Sequence, residues 1–172
     1  TAAYLLGLYL AQLRGNKYKD EIASILSELQ QMPEKIQKVI DNDAPVKELG
    51  VEMKDASSVI FLGRHVGFPV AMEGALKLKE ITYIHAEGFA AGELKHGPIA
   101  LIDEGQPVII VVPSASGRDS LHGKVVSNIQ EVRARGAFTI VIAEEGDEAV
   151  KPYADRLITV PACPSLLQPL LA

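Results

Sequence analysis

A chain of 172 residues with 48% hydrophobic, 23% charged and 5% aromatic residues has the mixture of a globular fold, large enough for one sizeable core plus accessory helices. Its net charge of −5, with no basic cluster longer than Arg133-Ala134-Arg135, excludes sequence-independent nucleic-acid binding, which needs a dense cationic surface. Cys163 is the single cysteine, no Cys/His cluster has metal-ligand spacing and no apolar run reaches the ~20 residues of a membrane span; the expectation is a cytoplasmic protein with no membrane or nucleic-acid partner and no cofactor or metal.

In chain order, Thr1 to Leu13 reads as an almost wholly apolar helix that needs burial. From Gly15 to Asp55 the pattern turns amphipathic. Ile22, Ile25, Leu26 and Leu29 keep helical spacing, Pro33 is expected to open a further segment with Ile36, Val39 and Ile40, and Asp43 with Pro45 starts another that runs to Met53. The intervening charges read as solvated faces of a helical connector.

The period then changes. Val59 to Leu62, Val108 to Val112, Phe138 to Ala143 and Leu157 to Val160 are short, continuous apolar runs. Helices are expected between them, from about Gly67 to Tyr83 and from about Ser116 to Arg135. Strands of this kind alternating with helices predict an α/β fold: a three-layer α/β/α sandwich around a mainly parallel, doubly wound sheet. At the far end, Leu166 to Ala172 starts an apolar element and stops. Both ends read as cut from a longer polypeptide.

Ligands of doubly wound folds collect beyond the carboxyl ends of the strands. Gly63-Arg64-His65-Val66-Gly67 follows the first strand there. It reads either as a loop approaching an anion or as a tight turn with surface Arg64 and His65; the spacing matches no phosphate fingerprint and hydroxyls are absent. Ser114-Ala115-Ser116-Gly117-Arg118, after the next strand, reads either as a second anion loop or as a helix cap.

The helix between the first two apolar strands carries Glu73-Gly74-Ala75-Leu76-Lys77-Leu78-Lys79-Glu80. At about 100° per residue, Glu73, Lys77 and Glu80 fall within roughly 60° of arc. The plain account is an intrahelical ion-pair ladder worth about 0.5 kcal/mol per pair when exposed. The alternative starts from Met72, Ala75, Leu76, Leu78 and Ile81, which wrap the remaining circumference and suggest a buried helix. A partly desolvated carboxylate beside a fixed ammonium is suited to general acid and base work, with Glu80 as base and Lys77 as its electrostatic neighbour. Downstream, the glycine-rich stretch from Ile84 to Pro98 is expected to be an irregular connection. Its His96, just before Gly97-Pro98, is a candidate catalytic group or an incidental surface histidine; His85 is the weaker candidate.

The blocks Phe61-Leu62-Gly63-Arg64, Glu73 to Ile81, Tyr83 to Glu87, Gly92-Glu93-Leu94-Lys95-His96-Gly97-Pro98 and Asn128 to Gly136 together resemble the isomerase half of the glutamine:fructose-6-phosphate aminotransferases, or glucosamine-6-phosphate synthases. The resemblance implies residues 1–15 as the last helix of a preceding sugar-isomerase (SIS) module, 16–55 as a connector, and 56–172 as a second SIS module truncated at its carboxyl end. It further implies fructose 6-phosphate and glutamine-derived ammonia as substrates, glucosamine 6-phosphate as product, and a homodimer. Glu80 then matches the base that moves a proton between the first two sugar carbons. His96 matches the residue that assists ring opening at the neighbouring subunit's site, and Glu73 and Lys77 match supporting active-site positions. The family's glutaminase nucleophile, its phosphate loop and its Schiff-base lysine have no counterpart in these 172 residues, so the chain is expected to be inactive alone. A non-catalytic sugar-phosphate sensor and a dimerisation domain are the alternative readings.

Overall fold

The computed structural model describes residues 1–115 and 121–172. Five strands, β1 (Ser58–Gly63), β2 (His85–Ala90), β3 (Pro107–Val111), β4 (Phe138–Glu144) and β5 (Arg156–Val160), form one parallel sheet in the order β2-β1-β3-β4-β5. Strand order reverses beside β1, so the crevice between the carboxyl ends of β1 and β3 is the topological switch point.

Alternation along the strands divides the core in two. Ile60, Leu62, Val108, Ile110, Val112 and Val141 face one side, where they meet Val125, Ile129 and Val132 of helix α5 (His122–Arg133). Val59, Phe61 and Ile140 face the other and meet Ala71 and Ala75 of helix α4 (Gly67–Thr82). Because β1, β3, β4 and β5 are covered on both faces, both of their side-chain parities are apolar, and this is why those runs read as continuous. The three-layer expectation holds.

Two earlier helices and a third complete the α4 layer: α1 (Ala2–Leu13), α2 (Lys19–Asp41) and α3 (Ala44–Glu52). Pro33 does not open a new segment but lies inside the 23-residue α2. Loss of its backbone N–H is tolerated because Met32, Leu29, Ile36 and Val39 pack against Val160, Cys163, Leu167 and Leu171, and that contact holds both halves in line. Arg156 of β5 ties α3 to the sheet through a salt bridge to Glu52 while stacking 5.6 Å from the Phe138 ring centroid. Helix α1 buries only Leu8 and leaves Leu6, Tyr9 and Leu13 exposed.

The expected irregular connection from Ile84 to Pro98 begins with a strand instead. β2 pairs with β1 in register from Ser58↔His85 to Gly63↔Ala90, and short 3-10 turns at Ala91–His96 and Pro98–Leu101 follow. No β-branched residue marks β2, and its Gly88 lies so near α4 that a Cβ there would meet Met72 Cα at 2.8 Å. Packing against α4, more than strand propensity, sets this segment's shape. Of the helix expected from Ser116 to Arg135, the described part is α5; residues 116–120, which include the last three of the candidate loop Ser114 to Arg118, lie outside the described residues. The carboxyl-terminal apolar segment folds into a 3-10 turn at Gln168–Leu170, with Leu167 and Leu171 buried.

Candidate functional site

Helix α4 sits on the sheet through small residues. Gly67, Ala71, Gly74 and Ala75 form its inner face, and an added Cβ at Gly74 would lie 2.8 Å from Phe61 Cε1. Gly63, the last residue of β1, has the Gly67 carbonyl oxygen 2.1 Å from where its Cβ would stand. The turn into the helix therefore requires glycine. At the other end Tyr83 takes a left-handed φ of 63° and its N–H caps the helix on the Lys79 carbonyl.

With the inner face so fixed, helical geometry turns Glu73, Lys77 and Glu80 away from the sheet. The side chains of Glu73, Lys77 and Glu80 are 62%, 52% and 52% exposed, so the expected buried helix is corrected to an exposed one. The apolar residues that suggested burial, Met72, Leu76 and Ile81, are themselves exposed beside the stripe. The three charges do meet. Lys77 Nζ donates to Glu80 Oε2 at 2.7 Å and lies 3.6 Å from Glu73 Oε1. The hydrogen bond to Glu80 and its charge, with Glu73 behind, hold the Lys77 ammonium above the usual lysine range. It is a fixed cation between two carboxylates.

The stripe does not lie at the strand tips. Glu80 is thirteen residues beyond Gly67, about 20 Å down a helix that runs back toward the amino-terminal ends of the strands. Glu73 and Lys77 border an open groove of about 480 Å³ whose floor is Phe61, Ile109, Val111 and Ile142. Glu80 lies a turn farther along.

His96 stands apart from the stripe. It ends the 3-10 turn Ala91–His96, whose Ala91 and Leu94 are fully buried in the α5-side core, across the sheet from α4. Its Nδ1 is 2.7 Å from Glu93 Oε2 and both side chains are mostly exposed. The chain therefore assembles Glu73, Lys77 and Glu80 and leaves His96 in another layer. His85, exposed at the start of β2, lies 3.7 Å from Glu87.

At the switch point the Gly63 to Gly67 segment is a tight turn, with exposed His65 at φ 53°. Arg64 is not the surface residue expected. It is half-buried, its Nε donates to Asn128 Oδ1 at 3.3 Å, and its guanidinium lies against Gly92, where a Cβ would meet Nη2 at 3.1 Å. Asn128, Lys124 and Lys95 complete a charged cavity there that sequence patterning missed, because its members come from three separate segments. Among the described residues no helix is long and apolar enough to cross a membrane.

A parallel sheet of this order, with its helices on both faces and a charged crevice at the reversal, defines a doubly wound α/β domain of the kind that handles small ligands. The SIS domain model matches residues 52–171, so the chain belongs to the SIS domain family. It is 73% identical over its whole length to the glutamine–fructose-6-phosphate aminotransferase (isomerizing) of Corynebacterium glutamicum, and covers 28% of that protein. The Mycobacterium tuberculosis protein of the same name is 63% identical over 99% of this chain, which covers 27% of it. Among solved structures, the C-terminal domain of glucosamine-fructose-6-phosphate aminotransferase from Francisella tularensis superposes with a TM-score of 0.87 and 36% identity over 97% of this chain and 46% of that one. The chain thus spans little more than a quarter of the curated relatives it resembles.

Proposed function

We propose that this chain is the second SIS module of an isomerizing glutamine–fructose-6-phosphate aminotransferase, with residues 1–15 ending a preceding module and 16–55 connecting the two. The whole protein would be a cytoplasmic homodimer that turns fructose 6-phosphate and glutamine-derived ammonia into glucosamine 6-phosphate; the chain alone would lack activity.

The observation that carries this reading is the set Glu73, Lys77 and Glu80, held together on an open helix face. Once ammonia has made an imine at C2 of the sugar, isomerisation takes a proton from C1 while the imine nitrogen gains one, giving an enaminol; the O1 hydroxyl then gives up its proton as C2 gains one, leaving an amine at C2 and an aldehyde at C1 with no net proton consumed. Glu80 is the base for this transfer. Lys77, bonded to it at 2.7 Å, keeps the carboxylate in place, and Glu73 holds Lys77 from the opposite side. Such chemistry needs water excluded. The exposed Met72, Leu76 and Ile81 alongside offer an apolar rim against which another part of the assembly would close. His96, on the far layer of the same chain, fits a histidine lent to the other subunit's site, where it would assist ring opening.

The test uses the full-length protein. Glu80→Gln should abolish glucosamine 6-phosphate formation while glutamine hydrolysis persists, and equal product formation by the variant would remove Glu80 from the role of base. Mixing Glu80→Gln with His96→Ala subunits should restore part of the activity through hybrid dimers. Hybrids of verified composition without activity would count against a shared site.

A further inference from the structure

We propose that Glu93 is the positioning residue of His96: it fixes the imidazole as the Nδ1–H tautomer and leaves Nε2 as the basic nitrogen presented to a sugar. The inference rests on His96 assisting ring opening and names the group through which that histidine is held ready.

The backbone makes the pairing local. The turn Ala91–His96 starts directly beyond the carboxyl end of β2, at the end of the sheet where ligands of doubly wound folds collect. In a 3-10 turn the side chains at i and i+3 eclipse, so Glu93 stands over His96, a pair that α-helical geometry would offset. Ala91 and Leu94 anchor the turn in the core with no exposed surface, and Lys95 holds it to α5 through Glu131 at 2.9 Å. At Gly97 the backbone takes φ 154°, which only glycine adopts readily, and Pro98 opens the next turn. The turn therefore ends immediately after His96 and leaves the ring clear.

The chemistry follows from which partner can donate. An ionised carboxylate only accepts, so the 2.7 Å contact between Nδ1 and Glu93 Oε2 places the proton on Nδ1. In the neutral ring Nε2 then carries the lone pair, and among the described residues it makes no hydrogen bond. Opening of a cyclic ketose phosphate breaks the bond from C2 to the ring oxygen O5. Nε2 takes the proton of the C2 hydroxyl and returns a proton to O5, so C2 becomes a carbonyl and the histidine ends as it began. Between the two transfers the ring is an imidazolium, which the Glu93 carboxylate stabilises through Nδ1–H. With its proton on Nε2 instead, the neutral ring would offer no base at that position.

Two measurements test this, one on the full chain and one on the full-length protein. Nitrogen chemical shifts of isotope-labelled histidine in the full chain at about pH 9, above the ordinary histidine range, should show His96 mainly as the Nδ1–H tautomer and should move to mainly Nε2–H in Glu93→Ala. Glu93 is mostly exposed, so its truncation leaves the anchors Ala91 and Leu94 in place. In the full-length protein Glu93→Ala should slow glucosamine 6-phosphate formation from fructose 6-phosphate by about tenfold to a hundredfold and should add nothing further to His96→Ala. 5-Deoxyfructose 6-phosphate lacks the hydroxyl that closes the ring, and both single variants should convert it at the parent's rate. A Nε2–H tautomer in the parent, an unchanged tautomer in Glu93→Ala, equal slowing of Glu93→Ala on both substrates, or full activity of Glu93→Ala beside an impaired His96→Ala would overturn the proposal. Full activity of His96→Ala on fructose 6-phosphate would instead remove the ring-opening reading, and the nitrogen shifts would then decide by themselves whether Glu93 fixes the ring.

Discussion

Lys77 Nζ lies 2.7 Å from Glu80 Oε2 and 3.6 Å from Glu73 Oε1, so one ammonium bridges two carboxylates across almost two turns of a helix face turned to solvent. Pairs this exposed add little to folding, typically 0–1 kcal/mol. Lys77→Met should therefore leave thermal unfolding nearly unchanged while suppressing isomerisation in the full-length protein by about 100-fold, the scale of a supporting group in proton transfer. Parallel loss of stability and activity would mark the residue as structural.

Glycine positions separate crowding from freedom. At Gly63 a Cβ would sit 2.1 Å from the Gly67 carbonyl oxygen, against backbone that cannot yield without moving the start of α4. Gly63→Ala should cost about 3 kcal/mol or more. Gly50, in the exposed part of α3 with nothing within 4 Å of its would-be Cβ, should behave oppositely: Gly50→Ala should stabilise by about 0.5–1 kcal/mol. Chemical denaturation of the two variants checks both signs.

Acid should weaken the β4–β5 junction through Asp155. Burial alone would raise the carboxyl's pKa, but the Thr139 N–H and hydroxyl donate to its Oδ2 at 2.8 and 2.9 Å and Arg133 lies 3.0 Å from its Oδ1, so its pKa is lowered overall. A carboxylate with a depressed folded-state pKa contributes its full stability above the unfolded value of about 3.9 and loses it as pH falls through the lower folded value. Asp155→Asn should cost about 1–2 kcal/mol at pH 7, and the difference from the parent should shrink on acidification below about pH 4. Unfolding midpoints measured from pH 7 to pH 2 would show it.

Cys163 should be inert in the folded state. It is 7% exposed, and burial together with Glu144 pushes its thiol pKa up to about 11. At pH 8 its reaction with a disulfide reagent should be slow and should accelerate sharply once denaturant opens the domain. Rapid labelling of the native protein would contradict the packing of Cys163 against Met32, Val160 and Leu167.

The alternation of apolar strands and helices was legible because a sheet covered on both faces needs both side-chain parities apolar, and four of the five strands carry that pattern. The fifth, β2, was hidden, since Gly88 and the exposed His85 break the apolar run and its place depends on close approach to α4. Pro33 misled for a related reason: a local rule about proline lost to the packing of Met32 and Leu167 across α2.

Helical periodicity alone grouped Glu73, Lys77 and Glu80 on one face, because the spacing of side chains around a helix is set by backbone geometry and needs no tertiary context. Which way that face looks was decided by the fold. Small residues at Gly67, Ala71, Gly74 and Ala75 let α4 press against β1 and β2, and this rotates the charged stripe into solvent. The same holds for the crevice at Arg64: its cations come from a strand-end turn, a 3-10 turn and α5, so only chain folding brings them to one cavity.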